Sequence, residues 1–216
     1  MNDASHFDAT FRYARPHVPK PDNFAPYLYR TRDLGRTWQR ITNGLPAEGY
    51  VHTIKEDPMR QGLLFAGTER GAFVSFDDGD TWHALQLNLP VTSVRDFQVY
   101  QNDLIVATHG RGFWAIDDIS TLRQVDDALL AEDAHLFKPG DAIFYAGGGD
   151  EGTPVQKDEP QAENAPNGAA LDYYLHSEPS GPVTLEVLDA AGTVVHTFSS
   201  AQTAAPALPA GRRRPD

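Results

Sequence analysis

The chain has 216 residues and a formal net charge of −12, with 40% hydrophobic and 10% aromatic residues. This is a folding composition, and its acidic balance argues against general nucleic-acid affinity and against adhesion to anionic membranes. The absence of cysteine excludes disulfides, zinc–thiolate sites, iron–sulfur clusters and a thiol nucleophile, and no apolar run approaches the ~20 residues of a membrane-spanning helix.

In chain order, Met1–Phe7 shows no basic region followed by an apolar stretch, so no signal peptide is visible. Short β-rich segments follow around Phe11–Ala14, at Tyr27–Thr31 and at Trp38–Ile41. They read as strands B, C and D of a first unit, whose A strand would precede Met1. Val51–Glu56, Leu63–Gly67, Ala72–Phe76 and Trp82–Leu85 supply A to D of a second unit. Val94–Val99, Leu104–Thr108 and Gly112–Asp117 give A to C of a third.

These units repeat in sequence. Thr31-Arg-Asp-Leu-Gly-Arg-Thr-Trp38 and Ser75-Phe-Asp-Asp-Gly-Asp-Thr-Trp82 share the pattern [ST]-x-D-x-G-x-T-W, 44 residues apart. Ala66–Phe73 lines up with Ala107–Trp114 at an offset of 41. A period of ~40–45 residues is the length of a four-stranded propeller blade. The octet has a mechanical explanation at a C–D hairpin. Asp33 or Asp77 accepts bonds from turn N–H groups and from the Thr31 or Ser75 hydroxyl. Gly35 or Gly79 supplies a positive φ, and Trp38 or Trp82 opens strand D and buries its ring against the neighbouring sheet. With Thr37 and Thr81, all ten residues are expected to be structural.

The octets resemble Asp-boxes, the signature of BNR-repeat propellers, a group with sialidases, xyloglucan-type glycoside hydrolases and sortilin ectodomains among its members. The ordered set Tyr27–Asp33, Leu64–Gly71, Ser75–Gly79 and Thr108–Asp118, continuing through Leu122-Arg-Gln and Ala134-His-Leu-Phe, resembles bacterial sortilin-like proteins often labelled glycosyl hydrolases. The resemblance covers residues 3 to about 200. It implies a fold class that is all-β, a partial β-propeller of one complete and two incomplete four-stranded blades plus a truncated β-sandwich. It also implies an exported parent, secreted or periplasmic, several times longer. Closing a propeller takes at least ~4 blades, so the chain reads as a fragment, with Met1 an internal or miscalled start and the rest of the parent propeller as its partner.

The expected domains are 1–123 (partial propeller), 124–168 (connector), 169–200 (truncated sandwich) and 201–216 (disordered tail). Asp141–Tyr145 reads as one extended segment, and Gly147–Gly168 as a Gly/Pro/acidic linker. Ala169–His176, Pro182–Asp189 and Thr193–Ser199 read as three strands with a tight turn at Ala190-Ala-Gly192. They resemble the start of an immunoglobulin-like sandwich, which needs ~7 strands. Arg212, Arg213 and Arg214 read as a solvated terminus, not a nucleic-acid patch.

Ligand sites in such propellers usually lie at the end opposite the Asp-boxes, near the channel. That end carries Glu48, Glu69, Arg70, His109 and Arg111. A glycosidase needs two carboxyl groups at a defined spacing. Glu69 is a candidate without an obvious mate, because Glu48 lies in another loop and Asp96 enters a strand. Arg70 and Arg111 hold equivalent places in successive blades, as a sialidase-like Arg cluster requires and as repetition alone produces. His109 reads as a general acid or base, or as a turn residue capping a carbonyl. No catalytic residue, metal or cofactor is assigned; the eight histidines are scattered without an H-E-x-x-H pattern. Two readings follow. One is a piece of a glycoside-hydrolase-like protein acting on polysaccharide. The other is a piece of a non-catalytic propeller gripping a peptide or protein. The chain alone is expected to be inactive.

Overall fold

A computed structural model describes residues 2–16, 23–142 and 168–201. The first of its antiparallel meanders runs β1 (Asn2–Ala4), β2 (Arg12–Ala14), β3 (Tyr29–Thr31) and β4 (Gln39–Arg40). The second runs β5 (Val51–Glu56), β6 (Leu64–Thr68), β7 (Gly71–Ser75) and β8 (His83–Ala84). The third is β9 (Val94–Tyr100), β10 (Asp103–Thr108) and β11 (Phe113–Ile116). The fold is all-β, a partial propeller in which, among the described residues, no sheet closes on itself. One expectation is corrected: the first blade has its A strand, because Asn2–Ala4 pairs with Arg12–Ala14. Three residues are too few to show an alternating pattern in sequence.

The first strands of the meanders adjoin, β1 beside β5 and β5 beside β9, so the sheets stack face to face around them. The middle sheet is buried on both faces, and period-two alternation along β6 divides its side chains between two cores. Leu64 and Ala66 join Ile54 and Trp82 against Tyr13, Leu28 and Ile41 of the first sheet. Phe65 joins Val74 and Leu85 against Val94, Phe97, Leu104 and Val106 of the third. Each fully buried Leu or Phe stabilises the stack by about 1.5–3 kcal/mol.

Gly67 marks a close approach of the second and third sheets. A Cβ there would lie 2.7 Å from Val94 Cγ1 and 2.8 Å from the Val94 carbonyl oxygen. Gly67→Val is therefore expected to destabilise the chain by about 1–3 kcal/mol or more. Urea titration checks this; an unchanged midpoint would contradict the packing.

The offset-41 alignment is also corrected in β10. Ala66 faces Phe73, but it is Val106 that faces Trp114, while Ala107 faces Phe113. The matching turns open with the same bond, from Thr68 Oγ1 to the Gly71 carbonyl (3.1 Å) and from Thr108 Oγ1 to the Gly112 carbonyl (2.7 Å). The extra residue sits inside the second turn.

After the third sheet the chain folds back on the blades. Ile119 enters the second core. A 3₁₀ turn at Leu122–Gln124 presents Arg123 to Asp57, which is fully buried, with Nε–Oδ1 3.1 Å and Nη2–Oδ2 2.9 Å. The same guanidinium donates to Asn102 Oδ1 (2.6 Å) and the Gln101 carbonyl (2.8 Å). It thus bridges the A–B turns of the second and third sheets. A single helical turn, α1 (Asp127–Leu130), is capped by Asp126, whose side chain accepts from Leu129 N at 2.8 Å.

Within 124–142, β12 (Ala134–Leu136) pairs with β13 (Tyr173–Leu175). The three expected late strands therefore do not form one sheet. β14 (Thr184–Leu188) and β15 (Val194–Ser199) pair as a separate hairpin, its turn tied by Ala191 N and Thr193 N to Asp189 Oδ1, both 2.8 Å. Asp141 and Ala142 are outside any strand. Residues 143–145, the linker apart from Gly168, the tail apart from Ala201, and the three terminal arginines lie outside the described residues.

Candidate functional site

The two octets build the same cage at one end of the sheets. Thr31 Oγ1 donates to Asp33 Oδ1 (2.8 Å) and accepts from Gly35 N (2.9 Å); Thr37 donates through N (2.8 Å) and Oγ1 (2.6 Å) to Asp33. Ser75 Oγ donates to Asp77 Oδ1 (2.7 Å) and accepts from Gly79 N (2.8 Å), and Thr81 N donates to Asp77 (2.8 Å). Gly35 and Gly79 have φ of 86° and 90°, which glycine adopts without a Cβ clash. The Thr37 hydroxyl and N–H hold the Asp33 carboxyl down at about 2. Burial pushes Asp77 up, but the Thr81 and Ser75 bonds outweigh it and leave it below the ordinary carboxylate range. Both are fixed anions serving the turn. The tryptophans differ. Trp82 is buried and donates Nε1–H to the Ile41 carbonyl (3.0 Å), whereas Trp38 is 44% exposed and bonds within its own octet to Gly35 O (3.1 Å). Of the two, among the described residues only Trp82 has a neighbouring sheet to enter.

A polar cluster that sequence reasoning missed lies between the first two sheets at this end. The Tyr13 hydroxyl donates to Asp78, which also accepts from Arg30 (2.9 Å) and Arg32 (2.8 Å). Glu56 accepts from the N–H groups of His6 (3.0 Å) and Gly62 (3.3 Å). Burial, then the bond to Asp78, drives the Tyr13 hydroxyl far above its usual range. Tyr13, Arg30 and Glu56 are shielded from solvent, so these groups join the two sheets.

The opposite end carries the five candidates. The meander returns there through the turns after β6 and β10. Both first strands also bulge there. Val51 faces Thr68 and Thr53 faces Gly67, leaving His52 out of the ladder. Val94 faces Thr108 and Asp96 faces Ala107, leaving Arg95 out in the same way. A bulge re-aims the side chain it releases. These two meet Glu69. His52 Nε2 lies 2.5 Å from Glu69 Oε1, Arg95 Nη1 lies 3.2 Å from His52 Nδ1, and Arg95 Nη2 lies 3.8 Å from Glu69 Oε1. A guanidinium only donates, so Nδ1 accepts and Nε2–H donates to Glu69. Burial lowers the His52 pKa, the Glu69 bond opposes that, and Arg95 and Arg15 add to the lowering.

Of the expected residues, Glu69 is central to this network, and the others do not join it. Glu48, Arg70, His109 and Arg111 are exposed. The main chain of His109 is fixed by Ser93 O (2.8 Å) and Thr92 Oγ1 (3.3 Å), and the Arg111 carbonyl accepts from Trp114 Nε1 (3.0 Å). The 42–50 loop does reach Glu69, whose N–H donates to the Tyr50 carbonyl (3.0 Å). Tyr50 packs against the exposed Phe24, ring centroids 5.7 Å apart, so an aromatic pair adjoins the charged network. The sequence signal for His52 and Arg95 was their equivalent position at the start of two A strands, visible only once the bulges are known. Among the described residues no three His, Asp or Glu side chains gather to hold a metal, and no helix is long and apolar enough to cross a membrane.

No family model matches the chain, and no curated protein matches it. Among solved structures it is similar to an ancestral GH74 enzyme at 18% identity, with a TM-score of 0.41 over 51% of this chain. It is also similar to YCF48 bound to D1 peptide, again at 18% identity, with a TM-score of 0.32 over 42% of this chain. The chain spans 13% of the length of the first and 30% of the second.

Proposed function

We propose that the chain is a segment of an exported Asp-box propeller of the BNR, sortilin-like kind, and that its bulge-lined end binds a peptide or saccharide without catalysing a reaction on it. The observation that carries this reading is the state of Glu69. Its carboxylate is engaged by His52 and Arg95, whereas most glycosidases set two carboxyl groups opposite each other across the scissile bond. Arg95, Phe24 and Tyr50 offer an exposed cation and aromatic faces beside it, the chemistry of a recognition surface. The exposed faces at Trp38 and at Ile105 and Phe113 are where further blades of the parent dock, in the places that Trp82 and Phe65 occupy inside the stack. The β14–β15 hairpin is the start of an accessory sandwich.

A glycoside-hydrolase segment is the second reading. It is favoured by the 42–50 loop, which carries Glu48 and meets Glu69 through the Tyr50 carbonyl (3.0 Å). Peptide and glycan panels probed with the chain, with Arg95→Gln and with Glu69→Gln test both. Retained ligands should lose about tenfold or more in affinity on Arg95→Gln, and xyloglucan and sialyl substrates should remain intact. Turnover that disappears in Glu69→Gln would overturn the binding reading in favour of the enzyme.

A further inference from the structure

We propose that His52 is a proton-operated latch on Arg95, holding the guanidinium against the sheet while the imidazole is neutral and releasing it towards the ligand when the imidazole gains a second proton. The geometry allows one arrangement of protons. Arg95 Nη1 is 3.2 Å from Nδ1 and has only hydrogens to offer, so Nδ1 must present its lone pair. Nε2 carries the ring proton and donates it to Glu69 at 2.5 Å. A proton arriving at Nδ1 replaces an acceptor with an N–H aimed at a cation. The Arg95 bond is lost, the two charges repel, and the His52–Glu69 bond becomes an ion pair between two charged groups and strengthens. Arg95 is then held by its 3.8 Å approach to Glu69, beyond hydrogen-bond range.

Three charged groups face His52, each from a different element. Glu69 reaches it from the β6–β7 turn and favours the proton; Arg95 from β9 and Arg15 from the end of β2 oppose it, as does burial. The Nε of Arg15 is itself buried without a partner. With the net effect downward, the latch is closed at neutral pH and opens in acid. The folded midpoint lies below the ~6.5 of an unperturbed histidine. The neutral imidazole therefore contributes stability that is full above about pH 6.5 and is lost as pH falls through the folded midpoint. Both residues sit in bulges outside the ladder, so the latch opens without breaking a strand pair.

The test is nitrogen-15 NMR of the full chain from about pH 4 to 8, following the histidine rings and the arginine side chains. The expected result is an Nε2–H tautomer for His52 at neutral pH, and one midpoint below about 6.5 shared by His52 and the Arg95 N–H signals. Arg95→Gln should move the His52 midpoint up, by removing a facing cation. His52→Gln keeps one donor and one acceptor but does not titrate, and should abolish the step at Arg95. An Nδ1–H tautomer, or an Arg95 step that survives His52→Gln, overturns the proposal. If His52→Gln does not fold, the tautomer and the Arg95→Gln shift decide it. The latch serves the binding reading above, but these signals need no ligand, so failure of one is distinguishable from failure of the other.

Discussion

Trp82→Ala should lower stability by about 3–5 kcal/mol, while Trp38→Ala should cost less than about 1 kcal/mol. The two tryptophans end octets of the same pattern, so local sequence predicts the same penalty for both. Packing separates them. Trp82 sits among Ile41, Ile54 and Leu64 and gives its N–H to the Ile41 carbonyl. Its removal leaves a cavity and an unsatisfied carbonyl. Trp38 has solvent on its outer face. Urea denaturation of both variants checks this, and equal costs would mean that the first two sheets are not stacked as described.

Arg123→Met should be comparably severe, at about 3–5 kcal/mol, because it strands a buried carboxylate. Asp57 has no exposure of its own, and its Oδ1 also accepts from Met59 N (2.8 Å) and Arg60 N (2.7 Å), so it cannot turn away to water. Asp57→Asn combined with Arg123→Met should cost less than the two single changes together, by about 1 kcal/mol or more. Additive costs in the cycle would show that Arg123 acts through Asn102 and Gln101 alone. The second outcome would also loosen the tie between the 3₁₀ turn and the blades.

Much of the blade architecture is legible in the sequence because it repeats. Val51–Glu56 forms β5 with the expected bounds, and the octets fix both C–D turns. Pattern fails where strands are too short to alternate. Asn2–Ala4 and Ala134–Leu136 have three residues each and are strands only because partners are nearby, β2 for one and β13 for the other. The site was legible in part. Turn position identified Glu69, but its partners lie 17 and 26 residues away in the chain and reach it because two ladders skip a residue. No periodicity within one strand encodes that. The octets and the single-residue insertion before Gly112 show the same limit from the other side: equal motifs can face unequal surroundings, and a repeat can slip by one within a turn without losing its motif.

The skipped residues have a consequence for how such a surface changes over generations. Neither His52 nor Arg95 takes part in strand pairing, so exchanging either leaves the backbone ladder as it was. Selection can rewrite the chemistry at two adjacent points without disturbing the scaffold, and each additional blade that bulged in the same way would add another independently variable letter to the recognition surface.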